Sequence, residues 1–471
     1  MTTVTRADTT AAASPAQADA RGGRRELLAA TVGGVVESFD WTIYAVLAPY
    51  FAAQMFPGDS PVAQLLGAYL GFAVGFVVRP FGSYVLGRIS DRRGRRFGLM
   101  LSMTLISGAS FLLAALPTAA SIGVLAPVLL VAIRLIQGLS MGGENPSVAA
   151  YVTETAPKRL RFLYSGISYG GIVFGNILCF GVLTLMLTLL GRDGVENGGW
   201  RIGFVLAGLL GLLSLWVRRM AGESEEFEQS RTRQSDPAAE RRKRTLLFRQ
   251  ARPNMLAVFL MSLGTTVSYY LGTTYLPQYA ERLGLVHGAQ GTAAMILPLV
   301  ALIVAMVASG KLADRFGAAR CFRGGMLLLT LLTVPVFGAM ATGALPVWLA
   351  TLLQLMCLAA PLALANVFFA RLFPVRIRVV AMGLPFTLAV GLFGGTFPLV
   401  AEALAAAGRI GLVPWVAAGA AAVSFGATFL IREPDDNAMP VREPDENPAP
   451  VREPDRNAAP VDASDTSPDP R

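Results

Sequence analysis

Charged residues are scarce in this chain: Asp, Glu, Lys and Arg together make up 15% of its 471 residues. Soluble domains carry about 25% of such residues, so the composition excludes an ordinary soluble globular protein. Lysine occurs only at Lys158, Lys243 and Lys311, and arginine supplies most of the net charge of +9. Because these bases fall in short loops between apolar runs, we interpret them as membrane topology signals and predict no nucleic-acid partner.

Cysteine and histidine are also rare. The three cysteines are far apart in sequence, which predicts neither a disulfide framework nor a metal centre. The single histidine, His287, falls in a predicted outer loop, so proton transfer would have to use carboxylates. The sequence also has no nucleotide-binding loop and no nucleophile–base pair. We therefore predict that the protein is not an enzyme and uses protons as its coupling ion, with no other cofactor.

Hydrophobic residues make up 54% of the chain, and its mean hydropathy is +0.53. The first apolar segment follows no cleavable signal sequence and is predicted to be retained. At roughly 20 residues per span, the apolar region holds about twelve spans, which predicts an all-α membrane protein in contact with the lipid bilayer. The predicted helices lie at about 27–54, 62–86, 97–116, 121–151, 162–190, 200–220, 254–280, 290–309, 322–342, 345–371, 379–404 and 411–431.

An internal repeat predicts two pseudo-symmetric six-helix halves. A basic segment at Gly87–Arg96, which holds five arginines and Asp91, has a weaker copy around Asp314. A second matching pair, Pro157–Arg161 and Pro374–Arg378, recurs at nearly the same offset. We predict a polar N-terminal tail at 1–26, a first six-helix bundle at 27–220 and a cytoplasmic linker at 221–252. A second six-helix bundle follows at 253–431, and the chain ends in a disordered tail with Arg-Glu-Pro-Asp repeats at 432–471.

The loops that carry most of the arginines fall on one side of the predicted membrane topology. By the positive-inside rule this side is cytoplasmic, together with both termini and the linker.

The segment Gly87–Arg96 resembles the signature loop between the second and third helices of the major facilitator superfamily. Other stretches resemble its metabolite:proton symporter branch, which includes importers of organic acids and betaine-like osmolytes. They are the Glu-x-x-Asp-x-x-x-Tyr pattern at Glu37–Tyr44, Arg79-Pro80-Phe81-Gly82, Arg134–Gly138 with Gly142-Gly143-Glu144, Gly199-Trp200-Arg201, Tyr275-Leu276-Pro277 and Phe393-Gly394-Gly395. The resemblance covers roughly residues 27 to 431. It implies a monomeric transporter of the bacterial inner membrane that works by alternating access.

The chain departs from the branch pattern along the expected cavity wall. Gly34 stands where asparagine is usual, Ser38 where tryptophan is usual, and Asn145-Pro146 where an aromatic residue commonly follows the glutamate. The substrate therefore cannot be transferred from the best-known members of the branch.

Ionisable residues inside predicted spans are the candidates for proton coupling, because charge is costly in hydrocarbon and such residues usually face a cavity. Glu37, Asp40 and Tyr44 follow the spacing i, i+3, i+7, which predicts one helical stripe. We assign proton coupling to Glu37, Asp40, Arg134 and Glu144. The alternative is that an acid only pairs with an arginine to hold helices together.

Arginines are the candidates for substrate binding, since a guanidinium binds a carboxylate in a bidentate manner. The resemblance implies that Arg79 and Arg201 anchor the substrate. The predicted substrate-binding set is Tyr44, Arg79, Gln137, Arg201 and Tyr275. Pairing with an acid competes with this role for Arg79, and interfacial snorkelling competes with it for Arg201. The tyrosines of the seventh helix, Tyr269, Tyr270, Tyr275 and Tyr279, either line the cavity or lie at the outer interface.

An acid that recurs in both copies of the basic segment, Asp91 and Asp314, predicts a gating role. Topology requires positive charge but does not require Asp91, and the acid and the glycines recur in the later copy while most arginines do not. We predict a cytoplasmic latch in which Asp91 pairs with arginines or with a helix N-terminus and releases as the halves rock. The gating set is Gly87, Asp91, Arg92, Gly94, Arg95, Asp314 and Arg315.

These residues together predict import of a small carboxylated metabolite, either an organic acid or a zwitterionic osmolyte, by proton symport. The alternative is efflux of a drug or secondary metabolite by proton antiport. Efflux members usually lack the Glu37/Asp40 pattern together with Gly142-Gly143-Glu144, which favours import.

Overall fold

The computed structural model describes residues 15–93, 95–141, 149, 153, 158–220, 237–374 and 377–431, and every regular element in these ranges is helical. The first half of the chain forms α1 Pro15–Met55, α2 Pro61–Val77, α3 Arg79–Arg93, α4 Arg95–Ala115, α5 Ala119–Ile122, α6 Leu125–Ser140, α7 Arg161–Gly194 and α8 Trp200–Met220. The second half forms α9 Pro237–Tyr270, α10 Leu276–Arg282, α11 Ala289–Ala293, α12 Ile296–Phe316, α13 Ala318–Ala341, α14 Val347–Ala370, α15 Arg378–Ala389, α16 Phe397–Ala406 and α17 Val413–Ala427.

The described helices account for twelve membrane crossings. Eight helical runs are long and apolar enough to span a bilayer, and Met100–Ala115 and Leu125–Ser140 are shorter apolar helices. One long run, Arg161–Trp216, turns at Gly191 and Gly198, whose φ values of 68° and 118° favour glycine, so it crosses twice. With α1, these segments confirm the predicted all-α membrane fold.

Two helices begin earlier than predicted. Helix α1 starts at Pro15 and helix α9 at Pro237, whereas the predicted starts were 27 and about 254. Proline suits the first turn of a helix, and each start is followed by alanines, arginines and glutamates that favour helix, so polar flanks extend the apolar spans. Part of the predicted linker is therefore helical, and residues 221–236 lie outside the described ranges. The predicted division into two bundles stays a prediction.

The second predicted helix is interrupted. Helix α2 ends at Val77 and α3 begins at Arg79 because Pro80 has no N–H to continue the hydrogen-bond ladder. The N–H groups of Phe81 and Gly82 both bond to the carbonyl oxygen of Val78 instead. Arg79 is the first residue of the helix that follows this break.

Glycines allow three close helix contacts. A Cβ on Gly138 would lie 2.0 Å from the carbonyl oxygen of Gly75, so α6 and α2 approach backbone to backbone. Between α7 and α12, a Cβ on Gly166 would lie 2.8 Å from the oxygen of Met306, and one on Gly310 would lie 2.5 Å from the oxygen of Phe162. The last two contacts join the two halves of the chain.

Candidate functional site

A cavity of about 1040 Å³, its open side included, lies between the two halves of the chain. Its wall from the first half carries both charged and aromatic groups, at Glu37, Ser38, Trp41, Thr42, Phe72, Arg79, Met141 and Tyr169. Its wall from the second half is rich in hydroxyl groups, at Ser262, Thr265, Thr266, Tyr269, Tyr270, Thr274 and Thr387. The same wall also carries the apolar residues Leu362, Ala365, Phe369, Phe386 and Val390. The cavity therefore combines an uncharged wall of mixed hydroxyl and apolar groups with one wall that can bind an ion.

Glu37 and Arg79 form a loose ion pair on the cavity wall. Arg79 Nη1 lies 3.8 Å from Glu37 Oε1, which is longer than a hydrogen bond, and both side chains are less than 10% exposed. The Arg79 guanidinium also lies 4.4 Å from the ring centre of Trp41 and 4.1 Å from that of Phe76. Arg79 therefore pairs with an acid and also lines the cavity, and its role as a substrate anchor stays a prediction.

Asp40 belongs to a different cluster, although the spacing predicted a common stripe with Glu37. Its carboxylate accepts hydrogen bonds from the Ser110 hydroxyl on α4 and from the Gln137 amide on α6, the latter at 3.0 and 3.2 Å. Arg134 Nη1 donates to Gln137 Oε1 at 2.7 Å. The side chains of residues 37 and 40 leave the helix in directions that differ by about one-sixth of a turn. This difference directs the Asp40 side chain into the first half and away from the cavity.

Trp41 lies between the cavity pair and the Asp40 cluster. Its ring contacts the Arg79 guanidinium on the cavity side, and it contacts the Arg134 guanidinium at 3.8 Å. Arg134 is fully buried, and its Nε and Nη2 atoms have no hydrogen-bond partner among the described residues. Gln137 bridges two buried charges behind Trp41 and does not line the cavity, and its assignment as a substrate contact stays a prediction.

Tyr44 does not line the cavity either. It is fully buried, its hydroxyl donates to the carbonyl oxygen of Ala68 at 2.9 Å, and its ring lies 4.1 Å from the Arg134 guanidinium. Tyr44 is two helical turns along α1 from Glu37, about 10 Å at 1.5 Å per residue, so a shared stripe does not place both at one cavity. The structure assigns Tyr44 to packing around Arg134.

The tyrosines of the seventh predicted membrane span, which runs from α9 into α10, divide into two groups. Tyr269 and Tyr270 line the cavity, whereas Tyr275 is fully buried outside it and donates its hydroxyl to Glu402 Oε2 at 3.0 Å. A π-helical turn at Leu271–Tyr275, followed by Pro277, separates the groups because it rotates the helix between them. Tyr275 therefore lies outside the cavity beside Glu402, and its assignment as a substrate contact stays a prediction.

Arg201 is placed at a helix end. Its Nη2 atom donates to the carbonyl oxygen of Leu116, just after α4, at 3.1 Å, and its guanidinium lies 4.2 Å from the Trp200 ring. It does not line the cavity. Donating a hydrogen bond to a carbonyl oxygen that the helix itself leaves unbonded is a structural role. This contact favours snorkelling of Arg201 at the membrane interface over a role as substrate anchor.

Two buried polar residues, Asn176 and Glu402, were not predicted from the sequence. Asn176 on α7 accepts hydrogen bonds from Ser38 at 2.6 Å and Thr42 at 2.8 Å, and it donates to the Tyr269 hydroxyl at 2.8 Å, which links the two halves. Glu402 on α16 is fully buried and pairs with Arg282. Each is a lone polar residue within an apolar span, and that signal could have identified both.

Asp314, from the predicted gating set, caps a helix in the other half of the chain. Its Oδ1 and Oδ2 atoms accept from the backbone N–H groups of Phe162 and Leu163, both at 3.3 Å, in the first turn of α7. Arg315 is exposed beside Phe316. Of the other predicted residues, Glu144 and Gly94 lie outside the described ranges, and only the helical backbone is described for Gly87, Asp91, Arg92 and Arg95.

The opposite end of α7 carries a second set of contacts between the halves. Arg192 Nη1 contacts Glu281 Oε1 at 2.5 Å, while its Nε donates to Glu196 at 2.7 Å. The Thr184 hydroxyl bonds to that of Thr292 at 2.8 Å. The two halves are thus joined by polar contacts at both ends of α7, with the cavity between them.

Replacing Arg201 with alanine is expected to leave the apparent KM for a substrate that binds in the cavity unchanged within about twofold. The loss of one cation at a helix C-terminus should lower the free energy of unfolding by about 0.3–1 kcal/mol. Uptake kinetics in proteoliposomes and thermal unfolding of the detergent-purified variant would measure these effects. A tenfold rise in KM would restore Arg201 as a substrate anchor.

Replacing Asp314 with alanine is expected to loosen the first turn of α7. A lost cap costs about 0.5–2 kcal/mol, so the amides of Phe162 and Leu163 should exchange their hydrogens roughly 2- to 30-fold faster. Hydrogen–deuterium exchange with mass spectrometry would resolve this segment, and Asp193→Ala, an exposed acid at the far end of α7, is the matched control. Unchanged exchange in this turn would show that the cap does not hold the halves together.

Comparisons with known proteins agree with this architecture. The family model of the Major Facilitator Superfamily matches residues 30–384. An alpha-ketoglutarate permease of Escherichia coli is 29% identical over 86% of this chain and 93% of the relative. The ectoine/proline transporter ProP of Corynebacterium glutamicum is 31% identical over 81% of this chain and 78% of the relative. A shikimate transporter of Escherichia coli is 31% identical over 81% of this chain and 87% of the relative.

Solved structures show the same fold. The crystal structure of a D-xylose-proton symporter matches with a TM-score of 0.68 at 20% identity, covering 87% of this chain and 97% of the symporter. The partially occluded inward open conformation of the xylose transporter XylE from Escherichia coli also gives a TM-score of 0.68, at 18% identity over 86% and 96% of the two chains.

Proposed function

The chain belongs to the major facilitator superfamily, and from this premise we propose that it imports a small carboxylated metabolite by proton symport with alternating access. Membership of this family makes the chain a multi-pass membrane transporter and not an enzyme. The relatives are named for alpha-ketoglutarate, proline, ectoine and shikimate, each of which carries a carboxylate. We expect no cofactor besides protons.

The loose pair between Glu37 and Arg79 is the observation that carries the proposal. At 3.8 Å, the pair leaves the Arg79 guanidinium able to exchange one carboxylate for another. A substrate carboxylate that binds Arg79 bidentately takes the place of the Glu37 carboxylate. The Glu37 carboxylate, displaced from Arg79 in a poorly hydrated cavity, then takes up a proton. Substrate binding and proton binding are coupled because the two carboxylates compete for one arginine.

The contacts at the two ends of α7 suit the alternating step. An exposed ion pair such as Arg192–Glu281 contributes little stability, about 0–1 kcal/mol, and a helix cap such as Asp314 contributes about 0.5–2 kcal/mol. Either end can therefore open at small cost while the other stays closed. In the proposed cycle, the protonated and substrate-loaded cavity opens at one end of α7 after the other end has closed.

Uptake by the purified full-length chain in proteoliposomes tests the proposal. The panel contains labelled dicarboxylates, tricarboxylates, shikimate-like acids, betaine and proline, each offered with and without an imposed pH gradient. At least one carboxylated compound should accumulate above its external concentration when the outside is acidic, and a protonophore should abolish that accumulation. Accumulation of no carboxylate under the gradient would refute proton-coupled import.

A further inference from the structure

Asn176, on α7, fixes the orientation of helix α1. Its Oδ1 atom accepts hydrogen bonds from the hydroxyl groups of Ser38 and Thr42, at 2.6 and 2.8 Å. These two residues are one helical turn apart, so their bonds to a single acceptor oppose rotation of α1 about its own axis. Close packing adds to this restraint, because a Cβ on the neighbouring Gly175 would lie 2.4 Å from the carbonyl oxygen of Val35. Helix α1 therefore cannot turn against α7 without breaking these contacts.

The same side-chain amide also binds the second half of the chain. Its Nδ2 atom donates to the Tyr269 hydroxyl at 2.8 Å, and Ser38, Thr42, Asn176 and Tyr269 are only 0 to 9% exposed. The other three residues line the cavity, whereas Asn176 is not among the described residues of the cavity wall. Asn176 can therefore influence the cavity only through the residues that it holds, which makes it a candidate positioning residue.

Asn176 lies midway between the contacts that join the halves at the two ends of α7. At 1.5 Å per residue, it is about 21 Å along the helix from Phe162, which Asp314 caps, and about 24 Å from Arg192, which pairs with Glu281. If the two ends open in turn, the axis of the motion lies between them. A rotation of about 15° would move a contact about 20 Å from the axis by about 5 Å, which breaks a hydrogen bond. A contact about 2 Å from the axis would move by only about 0.5 Å and can stay bonded.

We propose that Asn176 is the pivot of the alternating step. Its bonds to α1 and to Tyr269 persist while the contacts at the two ends of α7 open in turn. This inference rests on the alternating step of the proposed function and requires neither the identity of the substrate nor proton coupling. A fixed point between the halves makes opening at one end close the other, and it keeps Ser38 and Thr42 on the cavity wall throughout the cycle.

Replacing Asn176 with leucine tests the pivot, because leucine has a similar size and forms no side-chain hydrogen bonds. A lost hydrogen bond changes an equilibrium by about two- to tenfold. In the purified, substrate-free chain, the backbone amides at 162–163 and at 188–192 should therefore both exchange their hydrogens about two- to tenfold faster. Amides in α13 are the internal reference and should keep their rates. Hydrogen–deuterium exchange with mass spectrometry measures all three segments in one experiment.

Leak of potassium ions gives a second readout that a purely local structural role would not change. Without the pivot, both ends of α7 can be open at once. Proteoliposomes with Asn176→Leu and no substrate should therefore lose potassium about two- to tenfold faster than those with the unmodified chain. Tyr269→Phe breaks only the bond between the halves and should give the same leak, so it tests the pivot even if Asn176→Leu does not fold.

Asn254→Leu is the matched control, because Asn254 donates to the carbonyl oxygen of Leu372 within the second half. It should change neither the exchange at the ends of α7 nor the leak. Faster exchange confined to the turns beside residue 176, with no added leak in Asn176→Leu or Tyr269→Phe, would overturn the pivot and leave import standing. The uptake panel described above tests import separately, so the failure of one experiment does not decide the other.

Discussion

Replacing Glu37 with glutamine is expected to abolish proton-driven accumulation of the substrate while leaving exchange of substrate across the membrane. Glutamine keeps the size of the side chain but cannot bind and release a proton, so a pH gradient has nothing to act on. Removing the competing carboxylate should also raise the apparent affinity of Arg79 for the substrate and remove the dependence of that affinity on pH. Net uptake and counterflow in proteoliposomes separate these two activities.

The controls for this variant distinguish two proton sites. Asp193→Asn removes an exposed acid outside the cavity and should behave like the unmodified chain. Asp40→Asn removes the acid of the buried cluster, whose carboxylate is bonded to Ser110 and Gln137. If Asp40→Asn loses accumulation and Glu37→Gln retains it, the coupling proton belongs to the buried cluster behind Trp41, and competition for Arg79 is wrong.

Replacing Arg79 with glutamine is expected to weaken substrate binding roughly 10- to 100-fold, the range for a lost charge-assisted hydrogen bond of about 1.5–3 kcal/mol. The variant also removes the cation for which the Glu37 and substrate carboxylates are proposed to compete, so substrate uptake should become insensitive to pH. Arg79→Lys keeps the charge but not the planar pair of donors, so it should restore only part of the affinity.

Arg201→Gln is the matched control for Arg79→Gln, because it removes a guanidinium that lies at a helix end and not at the cavity. Saturation binding to detergent-purified protein gives the dissociation constant, and circular dichroism confirms that each variant is folded. Equal loss of affinity in the two variants would indicate a general effect of arginine removal. Full affinity in Arg79→Gln would exclude Arg79 as the substrate anchor.

Much of the architecture could be predicted because hydrophobicity is a local property of the chain. Apolar runs separated by short basic loops predicted twelve crossings, and the helices bear this out. The helix boundaries were less accurate. Pro15 and Pro237 start helices that continue through polar sequence, and Pro80 breaks a span that composition alone presents as continuous.

The site could be predicted only in part, since sequence spacing gives neither the helix that a side chain faces nor its depth in the bundle. Glu37 and Arg79 do line the cavity, but Tyr44, Gln137, Arg201 and Tyr275 do not. Asn176 and Glu402 form buried contacts that become visible only when distant helices are packed together.

The class of protein and the short list of charged residues within its spans follow from the sequence alone. A charge in hydrocarbon is costly, so a charged residue within a span usually has a function. The tertiary structure decided how those charges are grouped. It placed Glu37 with Arg79 at the cavity, put Asp40 with Arg134 behind Trp41, and set Glu402 with Arg282 apart from both. A rotation of one helix by a fraction of a turn reassigns such partners, and only the packing of all the helices fixes that rotation.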